Sequence, residues 1–221
     1  MFVGHFAVAF AGKPIAPKVS LGLLILAAAF SDILWIVFFS AGIEQVVIRP
    51  GLMVANSLDL VYIPYSHSLL MDAVWGALFA ALYFLCRHDA RGAWILFLAV
   101  VSHWFLDFAA HRPDMPIAPA IDAHFGFGLW NSRLATFVVE GGIWFGALSF
   151  YALATKPSRR SGIYAFWIVI ALLTALWVVS LRGDPPPDLR SLAISNTVFF
   201  AIVEAWAFWI DHSRPVAGET G

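Results

Sequence analysis

The segment SHWFLDFAAHRPD, residues 102–114, sets His103, Asp107 and His111 four residues apart in an otherwise apolar run. On a helix, residues four apart lie one turn above one another. At roughly 100° per residue the three side chains fall within an arc of about 80°. Imidazole nitrogens and a carboxylate on one face form the donor set of a divalent cation. Zinc takes these groups, and iron or manganese take them less selectively. Asp107 and His111 can reach one ion, while His103, one turn deeper, can meet a second. A cation also explains how such groups are tolerated in apolar surroundings, where an isolated carboxylate would have to be neutralised.

The surroundings are apolar along the whole chain. Of 221 residues, 61% are hydrophobic, 16% aromatic and only 12% charged, and mean hydropathy is +0.82. Soluble domains are about 45–50% apolar and about 25% charged, so this composition belongs to a membrane protein. A net charge of −1 with no basic face gives no expectation of nucleic acid as a partner. Cys86 is the only cysteine, which excludes an intrachain disulfide and a thiolate cluster.

Six apolar stretches, near 19–40, 67–86, 93–110, 134–155, 163–181 and 191–210, approach the ~20 residues that cross a bilayer as a helix. Breaks such as RHDARG, KPSRRSG and RGDPPPDLR separate them with Pro, Gly and charge. The opening MFVGHFAVAFAG is too short to span and reads as a half-inserted or re-entrant segment. Lys13 and Lys18 before LGLLILAAA have the look of a secretion signal, but the apolar run continues through DILWIVFFSAG and reads as a span. The expected fold is a single all-α polytopic bundle over residues 1–221, about six spans plus the short first segment, with the bilayer as a partner.

Six spans put both termini on one side, together with Lys13, Lys18, Arg87, Arg91, Lys156, Arg159, Arg160 and Arg214. By the positive-inside rule that side is cytoplasmic. Glu44, Asp59, Asp114, Asp122, Asp184 and Asp188 then face outward. Ionisable groups inside a membrane are functional hypotheses by default. Here Asp32, His67, Asp107, His111 and Glu140 all fall toward the outer ends of their spans, and the loop after the third span adds Asp114 and His124. Asp72 reads as a neighbour of the site or a partner elsewhere, and Glu204 as a polar clamp between helices.

Four stretches, GHFAVAFAGK, SDILW, YSHSLL and SHWFLDFAAHRPD, resemble the YdjM-like inner-membrane proteins, described as metal-dependent hydrolases. The resemblance covers roughly residues 1–132 and implies a bacterial inner-membrane location. A more distant likeness, to zinc-dependent phospholipase C and the single-strand-specific nucleases, lies in the order of ligands. His5, Asp32 or Asp59, His67, His103 with Asp107, His111, and then His124 or Glu140 follow that order, without the late HxxxE. It implies a site of one to three zinc ions that splits phosphoesters.

The candidate metal ligands are therefore His5, Asp32, His67, His103, Asp107, His111 and His124. Glu140 or Asp114 would act as general base or water-orienting group. Arg112 would hold a phosphate oxygen, or snorkel to the interface. The loop IDAHFGFGLWNSR reads as a lid over a lipid head group, or as an aromatic belt anchored by Trp130. The leading expectation is a membrane-embedded metal-dependent hydrolase acting on a phosphoester or lipid-linked substrate near the outer face. The alternatives are an ion or proton transporter or channel using the same cluster, and a non-catalytic metal-binding protein. Haem ligation is weaker, since no histidine pair faces across two long helices. Polar residues thin out inward, which favours the enzyme over a transport path.

Overall fold

The computed structural model describes residues 1–217. Helix α1 (Val3–Ile15) is followed by α2 (Leu21–Ala28) and α3 (Phe30–Ser40), then by a hairpin of β1 (Gln45–Ile48) and β2 (Leu58–Tyr62). Helices α4 (Leu69–Arg87) and α5 (Ala90–Ala110) lead to a second hairpin, β3 (Met115–Ala118) and β4 (Ile121–Phe125). A short 3-10 turn (Leu129–Asn131) and helices α6 (Arg133–Ala154), α7 (Arg160–Ser180) and α8 (Leu189–Ser213) complete the described chain. The architecture is an all-α bundle with two small antiparallel sheets.

Helices α4 to α8 are each long and apolar enough to cross a membrane, and α2 with α3 qualify together as a pair bent by 53°. Their bounds fall within a few residues of the six apolar stretches. Hydroxyl and carboxylate side chains at the breaks start them. Ser20, Ser68, Ser132 and Asp188 accept the backbone N–H of Leu23, Met71, Ala135 and Ser191, capping α2, α4, α6 and α8. Large apolar side chains such as Leu82, Leu85, Leu134, Leu153 and Trp167 stand exposed around the bundle, where hydrocarbon is their natural neighbour.

Residues 19–40 do not form the single straight span expected of them. The chain breaks at Ala29, and the Ala28 carbonyl accepts a hydrogen bond from His103 of α5. Non-helical backbone at membrane depth is tolerated where it lines a cavity in the protein, and this break does so.

Helix α1 is short because it spans nothing. It is packed inside the bundle, with Phe10 edge-on to Trp144 and Tyr151 of α6 and to Phe166 of α7. Lys13, counted above among the flanking cations, is buried. Its ammonium donates to the carbonyls of Pro17 and Val19 at 2.8 and 2.9 Å and pairs with Asp211 of α8 at 2.7 Å.

The two ends of the bundle are distinct. At one end lie both hairpins and the α7–α8 loop; Arg133 ties that loop to the first hairpin, donating to the carbonyls of Leu181, Arg182 and Val54 at 2.9, 2.8 and 3.4 Å. At the opposite end the α6–α7 link meets the C-terminal segment, with Lys156 N–H donating to Pro215 O.

Candidate metal centre

Four elements deliver the cluster. His5 lies in the first turn of α1, and Asp32 in the first turn of α3, just past the break. His67 precedes the Ser68 cap of α4, His103 and Asp107 share one face of α5, and His111 ends that helix. All six residues sit in the half of the bundle that carries the hairpins.

Asp107 is the hub. Its Oδ1 lies 3.1 Å from His5 Nε2, while Oδ2 lies 3.3 Å from His103 Nε2 and 3.7 Å from both His67 Nε2 and His111 Nε2. Asp32 Oδ1 lies 3.7 Å from His67 Nε2 and 3.8 Å from His103 Nε2. The Met1 backbone nitrogen also contacts Asp107. Two ligand groups result, His5–His103–Asp107 and Asp32–His67–His103, each with donor atoms within 4.8 Å of one another and with His103 common to both.

The outward-facing nitrogen of three of these imidazoles is tied to the surrounding protein. His103 Nδ1 donates to Ala28 O at 2.9 Å. His67 Nδ1 donates to Ser66 Oγ at 2.7 Å, and Ser66 Oγ donates in turn to Glu44 Oε2 at 2.6 Å. Glu44 Oε1 accepts the N–H groups of Tyr65 and Ser66. His111 Nδ1 donates to Asp114 Oδ1 at 3.1 Å, and Asp114 Oδ2 accepts Arg112 Nε at 3.1 Å. Arg112 also pairs with Asp59, which Arg49 Nε holds from the other side at 2.9 Å.

With Nδ1 committed as donor, each Nε2 presents a lone pair inward. Those lone pairs converge on carboxylate oxygens, which are also acceptors. His103 Nε2 is fully buried and has no hydrogen-bond partner among the described residues. Beside the Met1 ammonium, which contacts Asp107 and lies 2.9 Å from His5 Nε2, these facing acceptors in a buried site suit a further cation. The spacing fits one: donor atoms about 2.0–2.1 Å from a zinc ion stand roughly 3.3 Å apart in a tetrahedron. These residues could therefore hold a metal ion.

Of the residues singled out in the sequence, His5, Asp32, His67, His103, Asp107 and His111 come together. His124 does not. Strand β4 turns it to solvent, 3.4 Å from exposed Asp122. The choice between Asp32 and Asp59 falls to Asp32, since Asp59 on β2 is taken by two arginines. Glu140 reaches the same region, but its two oxygens accept Gly4 N–H at 3.1 Å and Trp177 Nε1–H at 2.9 Å. Asp114 and Arg112 are likewise committed, to His111 and to Asp59. Glu204 clamps no neighbour: its Oε1 has no hydrogen-bond partner among the described residues.

Glu44, Ser66 and Ser31 are parts of the site that the sequence did not single out, whereas Asp72 is among the residues it offered as neighbours of the site. Ser31 Oγ donates to buried Asp72 at 2.7 Å, directly beside Asp32. The serine preceding His67 in YSH carried a local signal, whereas Glu44 reaches it only through the fold of the first hairpin.

A chamber of about 100 Å³ holds the cluster, walled by Trp35, Leu60 and Trp130. Trp130 lies against the His111 ring, with centroids 4.4 Å apart. The chamber opens past His5 and Asp32 into a cavity of about 400 Å³ between α1, α3, α8 and the α7–α8 loop. Its lining combines polar side chains, Asn56, Asp184 and Asn196, with apolar ones, Phe6, Ile36 and Phe200. The cluster side chains are 0–3% exposed except for Asp32, at 31%.

Comparison with family models, with curated proteins and with solved structures gives no match for this chain.

Proposed function

We propose that the protein is a membrane-embedded, metal-dependent hydrolase acting on a phosphoester that carries an apolar portion. One observation supports this most. The cluster side chains are buried except that of Asp32, which faces a cavity lined by both polar and apolar side chains. Structural metal sites fill all positions with protein, whereas catalytic sites keep one open for water and substrate. The order of His and Asp residues shared with YdjM-like proteins, and the more distant phospholipase C likeness, point the same way.

A bound divalent cation, zinc first and iron or manganese next, would lower the pKa of a water toward 7 and draw charge from the phosphoester oxygens. The chain supplies the rest. His5, His67, His103, His111 and both oxygens of Asp107 hold the cation or cations, in one or both ligand groups. Asp32, the ligand open to the cavity, orients the attacking water and accepts its proton. Trp35 and Trp130 exclude bulk water from the chamber. We place the hairpin end on the outer side of a bacterial inner membrane, since the opposite end carries most of the lysines and arginines.

The test is elemental analysis of the detergent-purified protein beside Asp107→Ala, with a chromogenic phosphodiester as the hydrolysis probe. Bound metal in the parent, lost in the variant together with hydrolysis, is the expected result. A folded parent that holds no metal after zinc, iron or manganese is added back would overturn the reading.

A second reading, an ion or proton path, draws on the bent α2–α3 pair and on half-length α1, features that build ion sites in transporters. Against it, Phe10, Leu24, Val100 and Trp144 pack into an apolar core beyond the cluster.

A further inference from the structure

The site has a second connection, sideways. A groove of about 270 Å³ runs between the α2–α3 bend and α8, lined by Ile25, Ile33, Val37, Thr197 and Ala201 among others. Ala29, Ile36 and Phe200 line both this groove and the 400 Å³ cavity above the cluster, so the two adjoin across these three side chains. The break at Ala29 turns α3 by 53° from the line of α2 and sits where cavity and groove meet. The groove reaches the apolar outer surface of the bundle at Val37, which is 55% exposed.

Along this route the lining grows less polar: His and Asp at the chamber, amide and carboxylate side chains among apolar ones in the cavity, and mainly apolar side chains in the groove, where Thr197 and Glu204 of α8 are the polar members. A molecule matching that order has an anionic head and a hydrocarbon tail. The groove opens at the depth where the surrounding solvent is itself hydrocarbon, so a tail moves into it with no transfer from water.

We propose that this groove receives the hydrocarbon tail of the substrate, and that a membrane lipid enters sideways between α3 and α8 to bring its phosphate-bearing head to Asp32 and His5. The inference rests on the hydrolase reading above and names its substrate class. The groove sets the side of entry, and the His and Asp side chains of the chamber set the head-group end.

The experiment uses the full chain in lipid nanodiscs with a single-chain lysophospholipid bearing a diazirine near the tail end. Crosslinks are mapped by mass spectrometry, and metal content is measured on the same sample. Crosslinks are expected on Ile33, Val37, Thr197 and Ala201. They should fall by on the order of tenfold in Ala201→Trp, the loss that follows from excluding about two buried methylenes. Val37→Trp, on the opposite wall at an exposed position, should act in the same way if Ala201→Trp does not fold. Equal labelling of Leu82 on α4 and Leu153 on α6, or no effect of either tryptophan, would overturn the groove while leaving a metal-loaded site standing. Labelling confined to the groove in a parent that binds no metal would overturn the hydrolase reading and the assignment of the tail to a substrate.

Discussion

His103 and Ala28 are 75 residues apart, yet the ring Nδ1 of one donates to the carbonyl of the other at 2.9 Å. The bond joins the break in the first apolar stretch to the helix that carries HxxxDxxxH. A broken hydrogen-bond ladder frees a carbonyl, and that carbonyl holds the shared ligand's ring with its second nitrogen turned inward. The break and the site are one construction.

His103→Asn separates the two functions of that ring. An asparagine amide nitrogen can stand where Nδ1 stands, so the bond to Ala28 survives while the inward nitrogen is lost. The variant is expected to lose metal and keep most of its thermal stability in detergent. His103→Leu should lose both, with the unpaired Ala28 carbonyl costing about 1–3 kcal/mol. Parent metal content in both variants would sink the assignment of His103 as a ligand.

Ser66→Ala cuts the link from Glu44 to His67 without touching a ligand. Groups that orient a ligating imidazole are worth about 10–100-fold in metal affinity. Competition with a graded series of chelators should show a loss of that order. An unchanged affinity would reduce Ser66 and Glu44 to hairpin packing.

Glu140 offers a choice between two roles. Its oxygens accept from Gly4 of α1 and Trp177 of α7, so Glu140→Leu should strand two donors and lower stability by about 1–3 kcal/mol for each. Glu140→Gln, which keeps an acceptor, should be milder in stability and near-normal in hydrolysis. If Glu140→Gln instead abolishes hydrolysis with metal content and melting intact, Glu140 is the general base that the sequence suggested.

Orientation can be read from two cysteines. Cys86 is exposed at the end of α4 opposite the hairpins, and Asp122 stands fully exposed on β4. In intact cells a membrane-impermeant thiol reagent is expected to label Asp122→Cys and to spare Cys86. The reverse pattern would put the site on the cytoplasmic side.

The helices were legible because hydropathy alone decides which segments can satisfy their backbone in hydrocarbon. His103, Asp107 and His111 were legible because helical spacing puts them on one face. The break at Ala29 was not: LAAAFSD holds neither Pro nor Gly, and the bend answers to His103, on a helix that comes later in the chain. Glu44 was hidden for a similar reason, since only the fold of the first hairpin brings it to Ser66. His124 misled because closeness in sequence to His111 is not closeness in space once a strand pair turns the side chain outward.

Helix α1 also orders the making of the protein. It comes early in the chain, but Trp144, Tyr151 and Phe166, the rings that enclose Phe10, lie on helices translated much later. Until those helices are inserted, α1 has no groove to occupy and His5 has no fixed place beside Asp107. Assembly of the centre is therefore a late step of biogenesis. Released truncated chains ending near Ser132, which carry all six cluster residues but neither α6 nor α7, are expected to capture no metal under conditions where completed chains do, and capture by such short chains would show that α1 docks without α6 and α7.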